Sequence, residues 1–295
     1  MTLIKPFILF LLLGLFSCGA KKEAVKNTSV DKVVIDSLII TKVPDATMPP
    51  PPHSISEESE SVILDTGEIR LPPVPQKPNN ERNDANHIRW NKLLQEFVSE
   101  SGKVDYLGFK SSSEFDVYID WLLEHKPDDT WSREEQLAYW INAYNALTVD
   151  LILRNYPIKS IKDIKDPWGQ RLWKFDDKWL NLNDIEHKIL RKMNEPRIHF
   201  AIVCASTSCP KLQNKAFTGT NLETMLTKST KAFLSDTSKN EITPNSLKLS
   251  KIFKWFAKDF KQDESLIDFL NRYSNVKISE NASKSFKNYN WDLNE

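Results

Sequence analysis

From residue 84 onward the apolar positions recur with a helical period. Ile88, Trp90, Leu93, Leu94, Phe97 and Val98 fall three and four apart and predict a helix that Gly102 stops. Val104, Asp105 and Tyr106 read as a short extended connector. Residues 111–125 repeat the pattern with Phe115, Ile119, Leu122 and Leu123, opened by a capping box, Ser111-x-x-Glu114, and ended by Pro127. A third helix is predicted over residues 132–155, opened by a second box, Ser132-x-x-Glu135. Leu137, Trp140, Ile141, Tyr144, Leu147 and Leu151 line one of its faces, and Ala143, Ala146, Val149 and Leu153 the other. A helix apolar all round is buried.

Polar residues on such a helix need partners. Glu135, Tyr139 and Asn142 lie within about 60° of one another on it, with Asn145 to one side. Two readings are open: these groups tie neighbouring loops together, or they form the polar wall of a cleft. Further on, residues 172–175 and 179–182 flank Asp176-Asp177-Lys178 as a hairpin. A short helix follows, with Asn183 at its cap and Glu186 three residues on. It carries Ile185, Ile189 and Met193 on its apolar side and His187 on the other. Residues 198–204 (IHFAIVC) form a short apolar run between Pro196 and Pro210 and predict a strand buried on both faces. After it come a helix capped by Asn221, a hairpin over 241–250, helices over 250–260 and 265–273, and an aromatic tail, 286–293, that packs back on the domain.

The first 85 residues are of another kind. They hold ten of the sixteen Pro and none of the nine Trp. Residues 1–17 read as a secretory signal, with Lys5 at the positive start and an apolar stretch over 7–16. That stretch is too short to span a bilayer. Leu15-Phe16-Ser17-Cys18 resembles a bacterial lipobox, which marks Cys18 for lipidation. The expectation is a protein anchored to an envelope membrane through Cys18, on its extracytoplasmic side. Residues 18–85 form a proline-rich linker, including the four-proline block 49–52, whose extended conformation spaces a domain from a surface. Residues 86–295 are long enough for one globular domain with a sizeable core. Forty basic residues balance forty acidic ones, so no electrostatic footprint for nucleic acid is present. Seven Gly in the whole chain, with no G-x-S-x-G, Walker, G-x-G-x-x-G or zinc-protease motif, point to no nucleotide or other cofactor.

The candidate chemistry gathers where the predicted strand ends, in Cys204-Ala205-Ser206-Thr207-Ser208-Cys209. Loops at element ends are where sites are built. Three readings stand for the two thiols. With Cys18 lipidated, an even pair remains in an oxidising compartment, which suits a Cys204–Cys209 disulfide. One of them is otherwise a nucleophile, with the loop N–H groups as an oxyanion nest and a histidine as base. His199, five residues from Cys204, would point to the other face of the strand, so His187 is the better base. The third reading, a metal site from His187, His199, Cys204 and Cys209, lacks the usual ligand spacing.

Taken together, EQLAYWINAYNAL (135–147), LNLNDIEHKILR (180–191), HFAIVCASTSCPKL (199–212), LSKIFKWFAKDF (249–260) and YNWDLN (289–294) resemble the family catalogued as domain of unknown function 547. The likeness spans residues 88–294 in order. It includes the W-I-N-x-Y-N helix at 140–145, the I-E-H-x-x-L-R segment at 185–191 and the C-x-x-x-S-C-P loop at 204–210. Asn290 stands where the family commonly has Asp. The resemblance implies a recurrent globular domain found in exported bacterial proteins, without an established activity. It groups Glu135, Asn142, Asn145, His187, Cys204, Ser208 and Cys209 as signature residues. The expected fold is α+β: a helix-rich single domain around a small sheet that contains residues 198–204. The expected chemistry is a thiol hydrolase or acyltransferase, with Cys209 as nucleophile, His187 as base and Asn142 or Glu135 as its orienter. Cys204 is the second candidate nucleophile, and Asn145, Ser208, Tyr139 and His199 are further cleft candidates. The competing expectation is a binding or scaffolding domain stapled by the two cysteines.

Overall fold

A computed structural model describes residues 87–262 and 264–295. The expected signal, the expected lipidation site at Cys18 and the proline-rich linker lie outside the described residues. The domain is α+β and helix-rich. Four helices come first: α1 (Ile88–Phe97), α2 (Tyr106–Ser111), α3 (Ser113–Glu124) and α4 (Arg133–Asn155). Strands β1 (Trp173–Phe175) and β2 (Lys178–Leu180) form the expected hairpin, with Trp173 paired to Leu180. Then come α5 (Leu222–Ser235), β3 (Glu241–Ile242), β4 (Ser246–Leu249), α6 (Ile252–Trp255), α7 (Leu266–Tyr273) and β5 (Ser283–Phe286). β3 and β4 pair antiparallel, and β5 joins β4 in parallel.

Helix α4 organises the rest. Its capping box forms: the Ser132 hydroxyl accepts the Glu135 N–H, and the Glu135 carboxylate accepts the Ser132 N–H at 2.7 Å. Sixteen of its 23 residues are buried, so partners cover it on every side. Trp90 of α1 stacks flat on Tyr118 of α3 at 5.3 Å, within the main core. A second apolar cluster gathers Phe200, Phe233, Phe253, Phe260 and Phe269 around α5 to α7.

Three local expectations change. Residues 198–204 are not a strand, and neither small sheet contains them. Pro196–Phe200 is a 3-10 turn: Pro196 sets φ at its start, and the Glu195 side chain accepts the Arg197 N–H at 3.1 Å. Arg197 is clamped in turn by Glu195 and Glu223 at 2.7 Å each. Backbone groups that a sheet would pair are taken instead by the Asn145 side chain, described below. The Ser111 capping box does not form, because residues 106–111 are themselves helical, capped by Asp105, which accepts the Gly108 N–H at 2.9 Å. Asn183 lies inside its helix. The cap is Asn181, whose Oδ1 accepts the Asp184 N–H at 2.7 Å, and the segment continues as a π-helical turn, Asp184–Ile189.

Candidate functional site

The tail does fold back, and it meets the thiol loop. Ala205 turns the chain with φ +51°, a left-handed conformation that costs an L-residue about 1–2 kcal/mol. The loop N–H groups then find fixed acceptors. Thr207 donates to the Asp292 carbonyl at 2.8 Å, Ser208 to the Asn290 carbonyl at 3.2 Å, and Cys209 to the Ser206 carbonyl at 3.0 Å. Ser208 Oγ accepts the Asn290 N–H at 2.8 Å. These three N–H groups are engaged, so they form no oxyanion nest. Ser208 is a loop fastener rather than a wall of the cleft.

Before the loop, Asn145 of α4 holds the backbone on both sides of Ile202. Its Nδ2 donates to the Ala201 carbonyl at 3.0 Å and its Oδ1 accepts the Val203 N–H at 2.9 Å. This delivers Cys204 and Cys209 to the floor of a cleft of about 230 Å³. Both thiols are free, Cys209 buried and Cys204 partly so. The Cys204 N–H donates to Cys209 Sγ at 2.8 Å. Cys204 Sγ lies 3.3 Å from Ser206 Oγ and 3.2 Å from the Tyr289 hydroxyl. Burial pushes the Cys204 thiol up, and its hydrogen bond to Cys209 adds to this. Burial would also raise Cys209, but donors from the Cys204 side chain and backbone and from Tyr289 outweigh it and bring that thiol down. Two adjacent thiols are thus driven apart, one toward the thiolate and one toward the thiol.

The facing wall comes from the π-helical turn. Glu186 is buried and accepts the Tyr144 hydroxyl at 3.1 Å. Burial pushes its carboxyl up to about 7, against that hydrogen bond. His187 Nδ1 lies 3.1 Å from Arg191 Nη1. A guanidinium only donates, so Nδ1 accepts and the neutral ring carries its proton on Nε2. Burial and the Arg191 charge lower the affinity of His187 for a second proton. Arg191 is held by both oxygens of Asp259, at 2.6 and 2.7 Å. Asp259 also accepts His199 Nε2 at 2.8 Å, and His199 stacks on Phe256 at 3.9 Å. Burial would raise Asp259, but its Arg191 and His199 partners hold it well below the usual carboxylate range. Without a strand, no alternation separates the two histidines: both line the same cleft.

The other signature residues of α4 are structural. Asn142 donates Nδ2 to the Phe217 carbonyl at 2.7 Å and accepts the Phe217 N–H at 3.0 Å. Glu135 sits in the capping box. The Tyr139 hydroxyl donates to the Leu122 carbonyl of α3. None of the three lines the cleft. Sequence reasoning missed Glu186 and Tyr144 as cleft groups, Asp259 behind His199, and the aromatic rings of Trp168, Trp255, Phe256, Tyr289 and Trp291. Glu186 adjoins His187, and a carboxyl so close to Ile185 on a short buried helix was the available signal. Among the described residues no group of three or more His, Cys, Asp or Glu side chains is arranged to hold a metal ion. Among the same residues no helix is long and apolar enough to cross a membrane.

A free thiol pair beside a buried carboxyl and two neutral imidazoles, on a helix-rich α+β scaffold, defines the class. Residues 129–234 match the model of a family described as protein of unknown function, DUF547. The match spans α4, both histidines, the thiol loop and α5, while Asp259, Trp255, Tyr289 and Trp291 come from beyond it. No curated protein and no solved structure matches the chain.

Proposed function

We propose that this chain is a cysteine-dependent hydrolase or acyltransferase, with Cys209 as nucleophile, carried as an envelope lipoprotein anchored through Cys18. The observation that carries the chemistry is the Cys204 N–H on Cys209 Sγ at 2.8 Å, at the floor of a cleft that also holds Glu186. A thiolate is the nucleophilic form, and donors around the sulfur favour it. Paired groups whose environments split their acidities take different roles. Cys209 attacks a carbonyl carbon, a C–S bond forms and the C–X bond breaks. Glu186, poised near neutrality, gives X its proton. Water or another acceptor then returns a proton to Glu186, attacks the thioester and frees the sulfur. His187 contributes its Nε2–H as a donor to the carbonyl oxygen rather than acting as base. Asn145 orients the loop, the part that Asn142 and Glu135 would have played.

Iodoacetamide labelling, mapped by peptide mass spectrometry between about pH 5 and pH 9, tests this. Cys209 is expected to react below the ordinary thiol range of about 8.5 and faster than Cys204. Labelling of both only above that range overturns the nucleophile. Intact mass of protein taken from its native envelope tests the lipid on Cys18.

One observation favours a second reading, a binding domain without turnover. Neither imidazole is hydrogen-bonded to either sulfur among the described residues, and the loop N–H groups are engaged by the tail. In that reading the cysteines close a disulfide, reductant lowers the melting temperature, and no ester or thioester is cleaved.

A further inference from the structure

The cleft is walled by rings. Tyr289 lies 4.6 Å from Trp291 and 4.8 Å from Trp255, centroid to centroid, and Trp168 lies 5.8 Å from Trp291. Trp255 is 46% exposed, a large apolar surface left open at the cleft. An engineered cavity of roughly 150 Å³ holds a benzene ring, so about 230 Å³ accommodates a phenyl-sized group with its carbonyl.

The charges in and beside the cleft are already paired or neutral. Arg191 is bound by both Asp259 oxygens and His187. His187 and His199 are held neutral, and Glu186 is buried against Tyr144. No wall cation is left to neutralise a ligand anion, and a second carboxylate would meet Glu186. A ligand cation would find one half-protonated carboxyl, with Asp259 already paired. The Lys162 ammonium packs on the Trp291 ring at 4.9 Å, but Lys162 is exposed and not part of the wall. A sugar would bring many hydroxyls to a wall with few polar partners.

We infer that the group held here is an uncharged aromatic or ring-sized aliphatic acyl group, presented as an ester, thioester or amide, packed against the face that Trp255, Tyr289 and Trp291 form together. This rests on the acyl-transfer reading above and names its substrate class. Acylation would join that acyl carbon to Cys209 sulfur, with the alcohol, thiol or amine leaving protonated.

Calorimetry on the full chain, wild type and Cys209→Ser, tests the class without requiring turnover. The probes are phenylacetamide, phenylacetate, choline and N-acetylglucosamine. Phenylacetamide is expected to bind about tenfold more tightly than each of the other three. Trp291→Ala, and separately the exposed Trp255→Ala, are expected to weaken it about tenfold with circular dichroism unchanged. Equal or tighter binding of a charged probe or the sugar, or no binding of phenylacetamide, overturns the inference. Failure of phenylacetamide to bind while Cys209 is rapidly alkylated removes the ligand class alone. Binding beside an inert Cys209 removes the nucleophile alone.

Discussion

Asn145 is bound to the backbone of Val203, the residue before the first thiol: its Oδ1 accepts the Val203 N–H at 2.9 Å while its Nδ2 takes the Ala201 carbonyl. One side chain on the central helix therefore sets where both sulfurs lie. Asn145→Leu leaves two buried backbone groups without partners, at about 1–3 kcal/mol each. Urea denaturation is expected to show a loss of about 2–5 kcal/mol, and Asn145→Asp, which keeps the acceptor for Val203 but sets an oxygen against the Ala201 carbonyl, is expected to destabilise as well. Selective labelling of Cys209 should disappear with Asn145→Leu. If it persists in the folded variant, Asn145 does not position the thiols.

Glu186 makes stability depend on pH with a definite sign. Its carboxyl is raised from 4.5 to about 7 in the folded state. The native chain thus binds the proton more tightly than the unfolded one, and the stabilisation is full below about 4.5, lost as pH rises, and gone above about 7. At 1.36 kcal/mol per pH unit this amounts to about 3 kcal/mol. Glu186→Gln keeps a neutral side chain at every pH. The difference in unfolding free energy between the two proteins should therefore move in favour of the variant by about that amount between pH 4.5 and 7. A flat difference contradicts the buried, protonated carboxyl.

Tyr289 supplies one of the donors that lower Cys209. A hydrogen bond to a charged group is worth about 1.5–3 kcal/mol, so Tyr289→Phe should move the alkylation profile of Cys209 up by about 1–2 pH units. The aromatic wall is kept in that variant, so phenylacetamide binding should change little. An unmoved profile would show that the hydroxyl does not reach the thiolate.

Ala205 is buried with φ +51°. Glycine removes the left-handed strain but adds unfolded-state entropy, so Ala205→Gly should stabilise by about 0.5 kcal/mol. Ala205→Val places a branched side chain in the same conformation and should destabilise by about 2 kcal/mol or more. Thermal melts of the two variants should shift in opposite directions.

The helices were readable because local rules agree there. Ser132 and Glu135 close a box three residues apart, and the apolar period runs unbroken from Leu137 to Leu151. Residues 198–204 misled because a short apolar run has no period that separates a buried strand from a buried helical turn. The Glu195-Pro196 pair was the better indicator, a cap followed by a helix-starting proline. Spacing on α4 placed Glu135, Tyr139 and Asn142 on one face but could not name their partners, which are Ser132, Leu122 and Phe217. The cleft itself was the least readable part. Asp259 reaches Arg191 across 68 residues and Tyr289 reaches Cys204 across 85, and no local pattern encodes such meetings.

The pairing of the thiol loop with the tail also orders events in time. Ser208 is bound by Asn290, 82 residues later, and Thr207 by Asp292, 85 later. Val104 and Tyr106, far earlier, take the same strip through Asn294. As a ribosome releases the chain, the helices around α4 emerge long before the residues that fasten the sulfurs. The thiol loop therefore stays unlatched until residues 290–294 have followed it, so the sulfurs take their final places only after the helices that carry them.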